Sequence, residues 1–233
     1  MKLGIISDIH GNLPALQECM DLLEKEQTDS IICLGDTVGY GPYPNECLDV
    51  LRERSIPSVL GNHDAGAIGE LTLKFFREPN ASLLKWTREE LTTANRTFLT
   101  NLPFIMEHED WIAAHASPIH PARWKYLRSA VTCRSILDEI DKDICFVGHT
   151  HIPGVVANEI GIFSLQKGYK FVINPGSVGQ SRDEDQRASC GIFDTEAFTY
   201  KNYRVEYEVK DTLKGYQRIG IGDEDARRLL HLN

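Results

Sequence analysis

The first 64 residues constrain the fold most tightly, because three short apolar runs of strand character, residues 2–7, 30–34 and 57–60, alternate with segments of helical character. After the first run, Leu13, Leu16, Met20 and Leu23 recur at the spacing of one helical face, and residues 45–54 repeat the pattern after the second. A strand that returns parallel to its predecessor needs a crossover of a dozen or more residues, and a helix supplies one. The alternation therefore predicts a largely parallel sheet with helices packed on it.

From residue 104 the character changes. Short strand-like runs follow at 104–106, 111–114, 145–147, 155–157, 162–165, 171–173, 191–193 and 203–209, with one clear helical interruption at 133–140. The intervening residues 66–102 read as helical, with Leu83, Leu84, Trp86 and Leu91 as the apolar face and Pro79 as a helix start, and are expected to cover one edge of the site. The tail from Asp211 carries only a weak helical pattern at 225–232. A βαβ half followed by a strand-rich half predicts an α/β protein of four layers, α/β/β/α, in which two mixed sheets pack face to face and helices cover the outer surfaces. No repeat, low-complexity stretch or Pro/Gly-rich linker interrupts the chain, so residues 1–233 are expected to form one domain.

Five polar motifs each fall directly after an expected strand: Asp8-Ile9-His10, Gly35-Asp36, Gly61-Asn62-His63-Asp64, His115, and Gly148-His149-Thr150-His151. In open α/β sheets the ligand crevice lies beyond the carboxyl ends of the strands, so groups far apart in sequence can converge there. Taken singly, each motif has an ordinary explanation: an Asp-x-His commonly caps a helix, and Asn62 or Gly-His-Thr-His suits a polar turn. Their conjunction is what carries chemistry, since five of the eight histidines fall within these motifs. The donor set of imidazole, carboxylate and carboxamide, without thiolate, suits manganese, iron, cobalt, nickel or zinc and disfavours calcium. Asp8, His10, Asp36, Asn62, His115, His149 and His151 are too many for one tetrahedral ion and suit two divalent ions sharing a bridging carboxylate.

Charge and composition bound the partners. Twenty-five basic against 34 acidic side chains give a net charge of −9, a field that opposes generic binding to nucleic acid or an anionic membrane. An anionic ligand would need a local reversal of that field, which bound cations provide. The six cysteines form no Cys-x-x-Cys pair and fall in apolar surroundings such as Ile31-Ile32-Cys33-Leu34, as reduced core residues do. No apolar run reaches the roughly 18 to 20 residues of a membrane span. Met1-Lys2 leads straight into a strand pattern rather than a signal peptide, so a cytoplasmic location is expected.

In their order, the five motifs resemble those of the calcineurin-like metallophosphoesterase superfamily, whose pattern is Asp-x-His, Gly-Asp, Gly-Asn-His-Asp or Glu, His, and Gly-His-x-His. The match runs from Asp8 to His151, and Asn174-Pro175-Gly176-Ser177-Val178-Gly179-Gln180 with Arg182 is similar to the compact bacterial phosphodiesterase branch, related to diadenosine tetraphosphatase-like proteins. Residues 66–102 match none of the motifs. The resemblance implies the same four-layer sandwich and two metal ions, with Asp8, His10 and His151 on one, Asn62, His115 and His149 on the other, and Asp36 between them. Two divalent ions, two carboxylates and a bridging hydroxide leave a local charge of about +1, which would attract a phosphate.

The resemblance further implies attack of that hydroxide on a small-molecule phosphodiester or nucleotide-type phosphoester. His63 would protonate the leaving group, Asp64 would orient the His63 ring and favour its charged form, and Asn62, Gly176, Ser177 and Arg182 would contact the substrate. Arg182 and Arg187 also read as part of a solvated charged loop. Phosphoprotein phosphatases of the superfamily continue Gly-Asp with Val-Asp-Arg-Gly and end the third motif in Glu; Thr37-Val38-Gly39-Tyr40-Gly41 and Asp64 stand here instead. A dinucleoside polyphosphate hydrolase is the near alternative. A non-catalytic scaffold, like the retromer subunit of the same fold, is the distant one, opposed by the presence of His63 and all seven ligand positions. Tyr40, Tyr43, Trp86 and Trp124 lie near motif loops and are candidates for stacking a nucleobase.

Overall fold

The computed structural model describes residues 1–232. In the first sheet, β1 (Lys2–Ile6) runs parallel to β2 (Ser30–Cys33) and antiparallel to β8 (Ala188–Asp194), which pairs antiparallel with β9 (Thr199–Val205). The second sheet takes the order β3 (Ile105–Glu107), β4 (Trp111–Ala114), β5 (Ile144–Val147), β7 (Phe171–Asn174), β6 (Gly154–Ala157). Its three inner strands are parallel and both edges antiparallel, so each sheet is mixed.

Period-two alternation explains why the sheets stack. Leu3 and Ile5 of β1 point into the space between the sheets, where they join Ile32, Val59, Phe146, Ile173 and Phe193 in one buried cluster. Ile6 points the other way and packs with Leu16, Met20 and Leu23 of α1 (Leu13–Lys25). In the second sheet Trp111, Ala113 and Phe146 face inward, while Ile112, Cys145, Val147 and Val172 meet α6 (Ala130–Leu137) outside. Strands covered on both faces read as unbroken apolar runs, and the result is the expected α/β/β/α order of layers. All six cysteines are buried and free. Among the described residues no helix is long and apolar enough to cross a membrane.

Helix α2 (Pro44–Glu53) packs Cys47 and Leu51 beside α1, α3 (Asn62–Ile68) packs on α4 (Asn80–Glu90) and α5 (Thr93–Thr100), which also pack on α2, and α7 (Val209–Arg218) and α8 (Asp223–Leu229) follow the last strand of the first sheet. Leu213, Tyr216, Ala226 and Leu229 of the last two pack with Tyr40 and with Leu83 of α4.

Four local expectations need correction. Residues 57–60 make a single parallel bridge, Cys33 to Ser58, rather than a strand: Pro57 has no N–H to donate, and the chain turns at once into α3. Residues 162–165 are loop, with Phe163 98% exposed, so no partner strand receives them. The expected 203–209 strand lies earlier, as β9, and Val209 instead opens α7, whose mid-helix Gly215 and polar first turn disguised it. The 133–140 helix starts earlier because Ser129 caps it, its hydroxyl accepting the Thr132 N–H at 3.2 Å.

Candidate metal centre

All five motifs sit at the carboxyl ends of strands or of the Ser58 bridge. Asp8 and His10 follow β1, Gly35-Asp36 follows β2, Asn62 begins α3, His115 follows β4, and His149 and His151 follow β5. Because β1 and β2 run parallel, as do β4 and β5, each sheet delivers its motifs to one end. There the two loops join: the Gly148 N–H donates to the His115 carbonyl at 2.8 Å, and the His149 N–H donates to Asp8 Oδ2 at 3.0 Å.

Asp8, His10, Asp36, His149 and His151 all adopt positive φ, between 49° and 65°. For residues with a Cβ that conformation costs roughly 1–3 kcal/mol each. Its concentration at one polar cluster means the surrounding loops hold these side chains inward against their own backbone preference. The motif glycines allow the close approach: a Cβ on Gly61 would stand 2.1 Å from Asp36 Oδ1, and one on Gly148 would stand 2.0 Å from Ser7 Oγ.

The ligand atoms form overlapping groups, Asp8 with His10 and His151, Asp36 with His115 and His149, and His10 with Asp36 and His63, each with its atoms within 4.8 Å of one another. Backbone carbonyls fix three of the tautomers. His10 Nδ1 donates to Val38 O at 3.1 Å, His115 Nδ1 to Leu34 O at 2.8 Å, and His151 Nδ1 to Gln180 O at 2.6 Å. A carbonyl only accepts, so each ring carries a proton on Nδ1 and turns Nε2, the nitrogen left to ligate, inward.

The consequence is a centre made of ligand atoms rather than of hydrogen-bond donors matched to acceptors. His10 Nε2 and His151 Nε2 lie 3.1 Å apart, and Asp8 Oδ1, which is buried without a hydrogen-bond partner, lies 3.2 Å from His151 Nε2. On the other side His115 Nε2 is 3.1 Å from His149 Nδ1, 3.2 Å from Asn62 Oδ1 and 3.2 Å from Asp36 Oδ2. Asp36 Oδ1 accepts the His63 N–H at 2.8 Å, which leaves Oδ2 between the groups, 3.8 Å from His10 Nε2. Converging buried lone pairs repel unless protons or cations lie among them. The donor chemistry therefore fits divalent metal, and the seven predicted side chains are brought together.

Electrostatics of the bare cluster point the same way. Burial alone would raise the carboxyls of Asp8 and Asp36, yet the surrounding imidazoles hold both below the ordinary range. Burial pulls His115 down, but Asp36 and Asp8 outweigh it and push its pKa up to about 9. Burial lowers His149 to about 3 and His63 to about 4.

Several expected roles are not met by the geometry. Asp64 does not touch the His63 ring: its carboxylate accepts N–H groups from Val38 at 3.1 Å and Gly61 at 3.0 Å, tying the Asp36 loop to the start of α3. With burial and Asp36 raising its pKa to about 7, Asp64 is a structural acceptor rather than an orienting group. The His63 Nδ1 is buried without a partner, close against the Gly39 backbone. The Gly176 N–H is spent on Asn174 Oδ1 rather than free for a phosphate, and the Ser177 hydroxyl donates to Asp8 O, bracing the first motif. Tyr43 packs against the α1 core cluster with its hydroxyl on the Asp211 carbonyl, and Trp124 is buried beside Phe104, so both serve packing.

Arg182 does reach the site, its Nη2 donating to Tyr40 Oη and Gln180 Oε1, both at 3.0 Å. Tyr40 stacks on His63 at 4.7 Å and meets His10 edge-on at 4.6 Å. The segment 66–102 covers this side through Phe76, 5.0 Å from the His63 ring, and Asn80, which donates to Tyr40 Oη. Tyr126, stacked on His149 at 3.8 Å, belongs to no motif and was not foreseen; only its placement 11 residues beyond His115 hinted at it.

Comparison with known proteins matches this geometry. The model of the calcineurin-like phosphoesterase superfamily domain matches residues 1–197. An uncharacterized protein of Methanocaldococcus jannaschii is 39% identical over 93% of this chain and 91% of its own length. The phosphodiesterase YfcE of Escherichia coli is 26% identical over 85% of this chain and 90% of its own. The crystal structure of a metallophosphoesterase from Sphaerobacter thermophilus superposes with a TM-score of 0.85 at 35% identity, covering 98% of both chains. Strand-end acceptors closing on a shared pocket, on the sandwich that carries them, are thus accounted for by descent: the chain belongs to the calcineurin-like phosphoesterase superfamily, hydrolases of phosphoric esters.

Proposed function

We propose that the chain hydrolyses phosphodiesters or nucleotide-type phosphoesters of small molecules at a pair of divalent cations. Asp8, His10 and His151 would hold one, Asn62, His115 and His149 the other, and Asp36 Oδ2 would lie between them. The observation that carries this reading is the donor-poor centre, with three imidazoles locked by carbonyls at Nδ1 so that their Nε2 atoms, the ones left to ligate, converge on buried carboxylates. Iron, manganese, cobalt, nickel and zinc all suit that donor set, and manganese is the ion to try first. When bound, such ions supply positive charge to a phosphoryl group and an activated water near neutral pH.

The protein's own groups do the rest. Arg182, turned toward the site beside Tyr40, would bind a non-bridging phosphate oxygen. We assign proton donation to His63. Its Nδ1 is shut against Gly39, and among the described residues its Nε2 bonds to nothing, leaving that nitrogen to meet the departing ester oxygen. A bound phosphate anion offsets the burial that otherwise holds the ring neutral. The similarity to YfcE, whose name is phosphodiesterase, supports diesters as the first substrates to test. The absence of a long apolar helix is consistent with action in the cytoplasm.

The test is direct. Manganese-loaded protein should hydrolyse bis-para-nitrophenyl phosphate, and elemental analysis of the active protein should find bound metal. Asp36→Asn should remove turnover, because its Oδ2 faces both groups of ligands. Full activity in metal-stripped protein or in that variant would overturn the proposal.

A further inference from the structure

We infer that the cavity between α4 and the α7–α8 hairpin is a subsite for the organic ester group of the substrate, and that it takes an uncharged group of nucleoside size with a flat base. This rests on the phosphoesterase reading of the metal centre and extends it to specificity. The cavity has a volume of about 870 Å³, ample for a nucleoside, since small-molecule sites span roughly 300–1,000 Å³. It begins where the metal centre ends. Tyr40 and Gln180 form its near wall, and these are the residues whose ring packs on His63 and His10 and whose carbonyl holds His151.

The far walls come from outside the motif-bearing core. Trp86 lies on α4, and Ile221 and Leu229 belong to the tail. The family match ends at residue 197, so α7 and α8 lie wholly beyond it. The Gln180 side chain ties the two parts together, its Nε2 donating to the Leu229 carbonyl while its Oε1 accepts from Arg182. A group esterified to a phosphate held beside Arg182 therefore passes Tyr40 and enters this space.

Chemistry selects the class of group. Of the four aromatic residues near motif loops, only Tyr40 and Trp86 line the cavity, and Tyr40 already spends a face on His63. Half-buried Trp86 is left as the surface for a base. Glu78 and Asp225 bring carboxylates suited to accept from sugar hydroxyls or exocyclic amines. The one guanidinium, Arg228, is held by Glu224 and Asp225, and burial keeps His231 below its ordinary range. Among the described residues no uncommitted cation faces the cavity, so a second phosphate would enter it unpaired.

The experiment compares kcat/KM of the manganese-loaded protein for thymidine 5′-(para-nitrophenyl phosphate) and for methyl para-nitrophenyl phosphate. The nucleoside ester should be preferred about tenfold, the size of one base-stacking contact. That ratio should fall toward one in Trp86→Ala and again in Ser82→Trp, which fills the cavity from an exposed position and so leaves folding intact. Equal kcat/KM in the native protein, or a ratio retained in both variants, overturns the subsite while leaving the phosphoesterase reading in place. No metal-dependent turnover of either ester overturns that reading and the subsite with it. A kcat/KM for diadenosine tetraphosphate above that for the nucleoside ester would show that a polyphosphate is accommodated and would overturn the charge argument.

Discussion

Replacing Gly148 by alanine tests whether the metal centre is set by backbone packing as tightly as the geometry demands. Its φ lies outside the left-handed region, so alanine brings no backbone strain of its own. The added Cβ would stand 2.0 Å from Ser7 Oγ and 2.7 Å from Asp8 Oδ2. The strand end cannot slide away without breaking the 2.8 Å bond from the Gly148 N–H to the His115 carbonyl. The hydroxyl must therefore retreat by about 1 Å, as real Cβ contacts are essentially never under 3.0 Å, and in doing so it gives up its 2.6 Å bond to Asp8 Oδ2. A hydrogen bond to a charged group is worth about 1.5–3 kcal/mol. Overpacking adds about 1–3 kcal/mol, so the variant should lose roughly 3–5 kcal/mol. The assay is urea unfolding of metal-free protein, reading the midpoint at unchanged slope. Ser7→Ala removes the colliding hydroxyl, the closest of the three contacts, and leaves Asp8 Oδ2 at 2.7 Å and the Ser7 Cβ at 3.2 Å from the new methyl, so only part of the overpacking remains. The double variant should accordingly be more stable than the sum of the single changes by about 1–3 kcal/mol. A Gly148→Ala protein within about 0.5 kcal/mol of native, or strict additivity with Ser7→Ala, would refute the reasoning.

Other outcomes follow from the same structure. Phe146, fully buried between the sheets, should cost about 3–5 kcal/mol as Phe146→Ala in the same unfolding assay, with activity retained below the lowered midpoint. His115, raised to about 9 in the bare cluster, must lose its proton to ligate metal, so loading near pH 7.5 should release about one proton, measurable by titration calorimetry in buffers of differing ionisation heat. The sign for folding follows from the same shift. A histidine whose folded pKa is raised contributes stability that is complete below its ordinary value of 6.5 and lost as pH rises through about 9, so metal-free protein should weaken across that window. The His115→Gln protein should lack both the proton release and this pH slope; retention of either would assign them to another group.

Much of the fold could be read from the chain because its signals are local. Unbroken apolar runs such as residues 144–147 mark strands covered on both faces, and the spacing of Leu16, Met20 and Leu23 marks a helix that packs on them. The ligand set was readable for a related reason: each ligand follows a strand directly, and parallel strands deliver their ends to one place. In the tail the deciding contact was distant in sequence. Val209–Arg218 is helical because Leu213 and Tyr216 find Tyr40 and Leu229, a cluster no window of its own sequence contains.

Roles diverged from identities in the same way. Asp64 stands where a partner for His63 was expected, but the folded chain presents it with the N–H groups of Val38 and Gly61, and a buried carboxylate takes the donors that reach it. The Ser177 hydroxyl braces the Asp8 carbonyl, and Tyr126, outside every motif, lies on His149. The order of residues by itself determined which donors arrive at the strand ends, since that follows from periodicity and the direction of the strands. Only the tertiary structure decided which nitrogen each imidazole turns inward, which carboxylate is spent on the backbone, and that the tail encloses a cavity beside Tyr40, because those depend on hydrogen bonds and packing between segments as far apart as Gln180 and Leu229.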